Sequence, residues 1–293
     1  MLIRVGYDIE FNLPCETTVL SMLDLHPSRE KDLIESNGLQ TEPHTAVSSY
    51  IDAFGNRCSR FVAPAGNLRL FSSALVQDSG EPDAVNWDAR ECPVGDLPSD
   101  VLSYLLNSRY CEVDRFSHLA LDLFGHVPPG WGRVQAVCDW VHDKVRFSYA
   151  TARPTKSALD VFTERVGVCR DFQHLAITFC RALNIPARYA TGYLGDIGVP
   201  YAGPMDFSAW FEVYLEDRWW TFDARHNVPR IGRILMDVGR DASDVALTTS
   251  FGHANLVKFL VVTDEVTEAQ AAEGDTAAQN EPELNAEALS SAA

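Results

Sequence analysis

Ile3, Val5, Tyr7, Ile9 and Phe11 fall on one parity of the chain, with Arg4, Asp8, Glu10 and Asn12 on the other. That alternation is the pattern of a half-buried strand. Further strands are predicted over 19–23, 48–52 and 60–62, with turn signals at Pro27-Ser28, Gly55-Asn56 and Pro64-Ala65-Gly66-Asn67. Asp52 to Arg57 reads as a hairpin connection. Residues 1–80 therefore read as a β-rich, sandwich-like antiparallel module. Residues 81–99 are rich in Ser, Gly, Pro, Asp and Asn and read as a linker over the surface.

Beyond residue 100 the period becomes helical. Short helices are predicted from Pro98 to Leu106, over 114–124 with a stop at Gly125, and over 157–162. Gly132 to Lys144 carries Val134, Val137, Cys138 and Val141 at helical spacing. The strongest helix follows Gly167: Phe172, Leu175, Ala176, Phe179 and Leu183 share one face, and Asn184 and Pro186 end it. The period then returns to two over 188–194. A Gly/Pro-rich loop, 195–205, could border a cleft, and a hairpin, 207–215 and 218–223, turns at Glu216-Asp217. Ser208, Trp210, Glu212 and Tyr214 share a face of its first strand, and a two-residue turn sets Asp223 opposite Trp210, diagonal to Ser208. The basic run 225–239 reads as a solvated loop that could border a cleft, 241–251 shows no pattern, and 256–262 reads as a closing strand. Residues 266–293, rich in Ala, Glu, Gln and Ser without Lys or Arg, read as a disordered acidic tail.

At 293 residues and 46% hydrophobic, the chain can bury a large core. No stretch reaches the roughly 20 apolar residues of a membrane span, and Arg4, Asp8 and Glu10 interrupt any leader-like start, so a cytoplasmic protein is expected. A net charge of −17 argues against nucleic-acid binding. Seven cysteines without C-x-x-C spacing suggest neither a disulfide framework nor a zinc site. With no Gly-rich phosphate loop, no cofactor is expected. The irregular spacing of Asp8, His26, His44 and Cys58 reads as surface or packing rather than a metal site.

The candidate chemistry lies at Cys169, in the first turn of the strongest helix. Free backbone amides and the positive end of the helix dipole favour a thiolate there, although a buried packing role is open to any free cysteine. Cys180, in mid-helix, reads as packing. Asp171 is placed to satisfy first-turn amides. Tyr149 could donate to an oxyanion or simply pack, and the Cys169 amide is the better oxyanion donor. The tryptophans 210, 219 and 220 read as core and cleft wall.

Gly167-Val168-Cys169-Arg170-Asp171-Phe172, Asn184-Ile185-Pro186-Ala187-Arg188-Tyr189, Gly192-Tyr193, Ala209-Trp210-Phe211-Glu212-Val213-Tyr214 and Trp219-Trp220-Thr221-Phe222-Asp223 together resemble the transglutaminase-like superfamily. The resemblance covers about residues 100–265, and residues 1–80 look like the β-rich region that often precedes this core in bacterial members. It implies an α+β fold, a papain/transglutaminase-like core in which a Cys-bearing helix packs on an antiparallel sheet. The implied activity is that of a cysteine protease or amidohydrolase working by acyl transfer through a thioester, on a peptide or protein substrate. Cys169 matches the family's nucleophile and Asp223 the acid that orients the base. The family's histidine falls just before Ala209-Trp210, where this chain has Ser208, and a hydroxyl cannot exchange a proton near neutral pH as imidazole does. His226 could supply the imidazole if the chain bends at Ala224-Arg225. His174 sits about 140° around the helix from Cys169 and should diverge from it. The third reading is a protein that keeps the fold and only binds peptide. Hydrolysis is favoured over crosslinking, and the oligomeric state is left open.

Overall fold

A computed structural model of the chain describes residues 1–201 and 205–272. The first module contains β1 (Leu2–Leu13), β2 (Thr17–Ser21), β3 (Leu33–Ser36), β4 (Gln40–Glu42), β5 (Ser48–Ile51), β6 (Arg57–Ala63) and β7 (Gly66–Gln77). After a stretch of short 3-10 turns come α1 (Ser117–Phe124), α2 (Trp131–Lys144), β8 (Arg146–Phe147), α3 (Ala158–Glu164), β9 (Val166–Gly167) and α4 (Cys169–Ala182). The chain continues through β10 (Ala187–Tyr193), β11 (Ser208–Leu215), β12 (Arg218–Phe222) and β13 (Ile234–Gly239). It closes with β14 (Thr248–Ser250), β15 (Asn255–Val266) and a short helix, α5 (Glu268–Ala272).

The alternation in β1 decides which side faces in. Ile3, Val5, Tyr7 and Ile9 are all buried, in one apolar cluster with Val19 of β2, Phe61 of β6 and Leu68 and Leu70 of β7. Two antiparallel sheets share this core, one ordered β15-β1-β7-β3 with β4 also on β7, the other β14-β2-β6-β5. Tyr193 of β10 and Ile234 and Met236 of β13 join the same cluster, so the module packs directly against the second half of the chain.

That second half is built on a four-stranded antiparallel sheet, β12-β11-β10-β13, with α4 across it. Ala209, Phe211, Val213 and Leu215 of β11 face Phe172, Leu175, Ala176 and Phe179 of α4, whose apolar spacing predicts this contact. Each large side chain so buried contributes about 1.5–3 kcal/mol relative to exposure. Trp210 faces the other way, against Ala190 and Val238. The two-residue turn at Glu216-Asp217 holds, with Leu215 paired to Arg218 and Glu216 at φ 58°. Arg181 fastens the end of α4: its buried guanidinium donates to the carbonyls of Ala187, Leu106 and Arg240 and to Ser108 Oγ, at 2.6–3.2 Å.

Three features differ from the sequence reading. The closing strand, assigned with residues 100–265, is β15 and pairs along its length with β1, completing the N-terminal sheet; β14 likewise pairs with β2. Its apolar residues Phe259 and Val261 belong to the N-terminal cluster, which is where their burial is satisfied. The basic run 225–239 ends in a true strand, β13, paired with β10. Its alternation is disguised because Asp237, at 0% exposure, stands within it. The expected acidic tail starts with α5, and its remainder, 273–293, lies outside the described residues, as do 202–204 of the predicted loop. No helix among the described residues is long and apolar enough to cross a membrane.

Candidate active site

Strand β9 pairs in parallel with β8 and delivers the chain to the start of α4. Val168 is extended at the cap (φ −102°, ψ 178°), and Asp171 reaches back one turn to accept from its amide at 2.9 Å. This satisfies a first-turn donor as the sequence expects. Gly167 is required by space: a Cβ there would lie 2.6 Å from the Asp171 Cβ and 2.8 Å from Oδ2. The chain thus sets Cys169 at the helix start, half-buried, with the Arg170 amide hydrogen-bonded to its sulfur.

Cys169 opens into a cavity of about 440 Å³. One wall comes from the core, with Tyr149, Asp206, Ser208 and Thr191. The opposite wall comes from the N-terminal sheet, with Ile9 and Phe11 of β1 and Leu256 of β15, and exposed His253 lies on the loop leading into β15. Ser208, 6% exposed, has no hydrogen-bond partner for its Oγ among the described residues. Asp206 Oδ2 lies 3.5 Å from the Tyr149 hydroxyl.

Electrostatics run against the sequence expectation of a resting thiolate. Burial pushes the Cys169 thiol up to about 11, and the Asp206 and Asp171 charges push the same way. The Arg225 guanidinium and the Arg170 amide pull it down but do not prevail. Burial also raises Asp206, to about 6, against the opposing pull of the Phe207 amide, Arg225 and Tyr149. Arg225 itself lies flat over the Phe147 ring, 3.9 Å from its centre.

Asp223 and His226 come together as a pair. The chain turns after β12, so that His226 Nδ1 lies 2.8 Å from Asp223 Oδ2. Asp223 Oδ1 accepts from the amides of Arg225 and His226 and from Gln173 Nε2, while Oδ2 also accepts from Arg233 at 2.9 Å. Burial alone would raise Asp223, but the Arg233 charge and the bonds from His226 hold it well below the carboxylate range. Gln173 is one turn after Cys169, and its Oε1 accepts from the Ala224 amide, so the pair is tied to α4. Neither Asp223 nor His226 lines the cavity beside Cys169. His174 is buried, stacked on Tyr110, with Nε2 accepting from the Ala242 amide. Trp210 packs on the far face of the sheet rather than walling the cleft, and Cys180 is fully buried as packing. The residue that sequence reasoning missed is Asp206, two positions upstream of Ser208. The signal was available, because side chains two apart return to one side of an extended chain.

The sequence model of the transglutaminase-like superfamily matches residues 117–224, a span holding Cys169, Ser208 and Asp223. An uncharacterized protein of Mycobacterium leprae is 30% identical over 235 residues, covering 75% of this chain and 81% of its own. The crystal structure of a candidate cysteine protease from Cytophaga hutchinsonii superposes with a TM-score of 0.80 at 31% identity, covering 91% of each chain. This chain belongs to the transglutaminase-like superfamily. It has the helix-on-antiparallel-sheet core and β-rich N-terminal region of that fold, and the family and the Cytophaga neighbour support a cysteine-type enzyme. In this chain the position before Ala209-Trp210 is Ser208, and one cavity wall is drawn from β1 and β15. Among the described residues, no three His, Cys, Asp or Glu side chains converge as a metal site.

Proposed function

We propose that this protein is a cysteine hydrolase of peptide or carboxamide bonds, with Cys169 as nucleophile and a thioester intermediate. The observation that carries the reading is Cys169 itself, at the first turn of α4, facing a cavity large enough for a substrate. The helix-start amides are the donors for the developing oxyanion. Because burial keeps the thiol protonated at neutral pH, its proton leaves during attack rather than before it. Asp223 and His226 act from behind: through Gln173 they hold the helix start against the sheet, and Asp223 stays ionised between Arg233 and His226. Water is the favoured acceptor. The cavity is half-enclosed by the N-terminal sheet, and its lining supplies no second acidic group to receive a lysine beyond Asp206.

A library of peptide p-nitroanilides and carboxamides tests the proposal, with intact-mass analysis of the trapped enzyme. The expected result is turnover with a hydroxylamine-labile acyl adduct on Cys169, abolished in Cys169→Ala. Incorporation of a fluorescent primary amine in place of hydrolysis would reverse the choice of acceptor. The pushed-up thiol and Ser208 favour a second reading, a peptide-binding protein that has kept the fold. Saturable peptide binding, unchanged in Cys169→Ala and without any acyl adduct, would establish that reading instead.

A further inference from the structure

The superfamily resemblance puts the proton acceptor just before Ala209-Trp210, at the start of β11, and here that position is Ser208. His174 is buried, with Nε2 occupied by an amide, and His226 is held by Asp223 outside the cavity. His253 lies at the exposed rim. The ionisable groups around the sulfur include Asp206, Tyr149 and Arg225, with Asp171 and Tyr189 beside them. Each of the first three acts electrostatically on at least one of the others, and Asp206 and Arg225 act directly on Cys169.

We propose that Asp206 is the proton acceptor for Cys169, the role having moved two residues upstream from Ser208 along the strand approach. The inference rests on the acyl-transfer reading above and names its missing catalytic group. Asp206 and Ser208 line the same cavity as the sulfur, as spacing by two requires of an extended chain. Tyr149 donates toward Oδ2, fixing the carboxylate, and Arg225 offsets the charge that builds between sulfur and acid. Ser208 Oγ, buried and unpartnered among the described residues, is left facing the cavity to bond substrate or the leaving nitrogen. As sulfur bonds to the carbonyl carbon, the S–H proton passes to Asp206 and the carbonyl π electrons move to oxygen. The tetrahedral oxyanion then re-forms C=O, the C–N bond breaks, and Asp206 returns the proton to the departing amine. Water attacks the thioester, Asp206 takes its proton, and the leaving sulfur recovers it. A group titrating near pH 6 is ionised and ready for this at neutral pH. The charged and titratable groups that share its cavity are Cys169, Tyr110, Tyr149, Arg170, Tyr189 and His253, and Arg225 acts on it electrostatically.

The test turns on a sign. If Asp206 were only a neighbouring negative charge, Asp206→Asn would ease ionisation of Cys169 and speed its alkylation. As the proton acceptor, its loss slows alkylation. Iodoacetamide labelling of Cys169, followed by peptide mapping at pH 7 in the full chain, is expected to fall at least tenfold in Asp206→Asn. Asp206→Ala should recover on adding formate, which a purely structural role would not do. With a substrate from the peptide library, kcat should fall about 10²–10⁴-fold with KM within threefold, and the acid limb of kcat/KM near pH 6 should vanish. Faster labelling in Asp206→Asn, or an unchanged acid limb, overturns the proposal. A matching loss in His226→Ala or His253→Ala, with Asp206→Asn unaffected, reassigns the role. Turnover surviving Cys169→Ala would instead sink the acyl-transfer reading itself.

Discussion

Gly167→Ala is the sharpest probe of how the site is built. The backbone there is one that any residue adopts, so the glycine is required by volume alone. An added Cβ would stand 2.6 Å from the Asp171 Cβ, far inside contact distance, and both atoms sit on rigid backbone. Asp171 must then move off the Val168 amide, losing a hydrogen bond to a carboxylate of about 1.5–3 kcal/mol. Residual crowding adds about 1–3 kcal/mol. The expected loss is about 2.5–6 kcal/mol in urea unfolding, followed by fluorescence of the buried tryptophans. A mutant cycle isolates the cause. Asp171→Gly removes the obstructing Cβ, so in that background Gly167→Ala should cost less than about 1 kcal/mol, a coupling of at least about 1.5 kcal/mol. Costs that add to within about 0.5 kcal/mol would show that the contact is not what the glycine avoids.

Asp237 is fully buried, with no partner for either carboxylate oxygen among the described residues, and burial together with the Asp52 and Asp24 charges raises its proton affinity well above normal. The folded state therefore holds a proton that the unfolded state releases near pH 4. The stability it provides is complete below that pH and falls as pH rises through the folded value. Asp237→Asn should gain about 1–3 kcal/mol at pH 8 and nothing at pH 4; equal stability at pH 8 would refute this. Arg181→Met leaves the carbonyls of Ala187, Leu106 and Arg240 without their donor. A loss of about 1–3 kcal/mol for each buried carbonyl left unsatisfied is expected, and a total loss below about 1 kcal/mol would show that the clamp is dispensable. Burial raises the Cys169 thiol to about 11, so iodoacetamide at pH 7.5 should label exposed Cys15 faster than Cys169. The reverse order would mean that the helix start, not burial, controls the sulfur.

Local signals and tertiary ones separate cleanly in this chain. The span of α4, the turn at Glu216-Asp217 and the inward face of β1 are legible because period and turn chemistry act between near neighbours in sequence. Strand β13 is not legible, because a buried carboxylate breaks its apolar rhythm. The partner of β15 is not legible either: any alternating strand can join any open edge, and only the shared apolar cluster selects β1. The thiol is the instructive case. A helix start favours an anion by about 0.3–1 kcal/mol, and up to about 2 kcal/mol where partly buried, whereas burial lifts this half-buried thiol from its ordinary 9.0 to about 11, roughly 3 kcal/mol. Position at an N-terminus, which sequence displays, is therefore the weaker of the two influences on Cys169. Burial, set by tertiary packing around the helix start, is the stronger, and sequence does not display it. A nucleophile so placed needs a proton acceptor at hand during attack, and that requirement moves attention from the motif's expected imidazole to the carboxylate at 206.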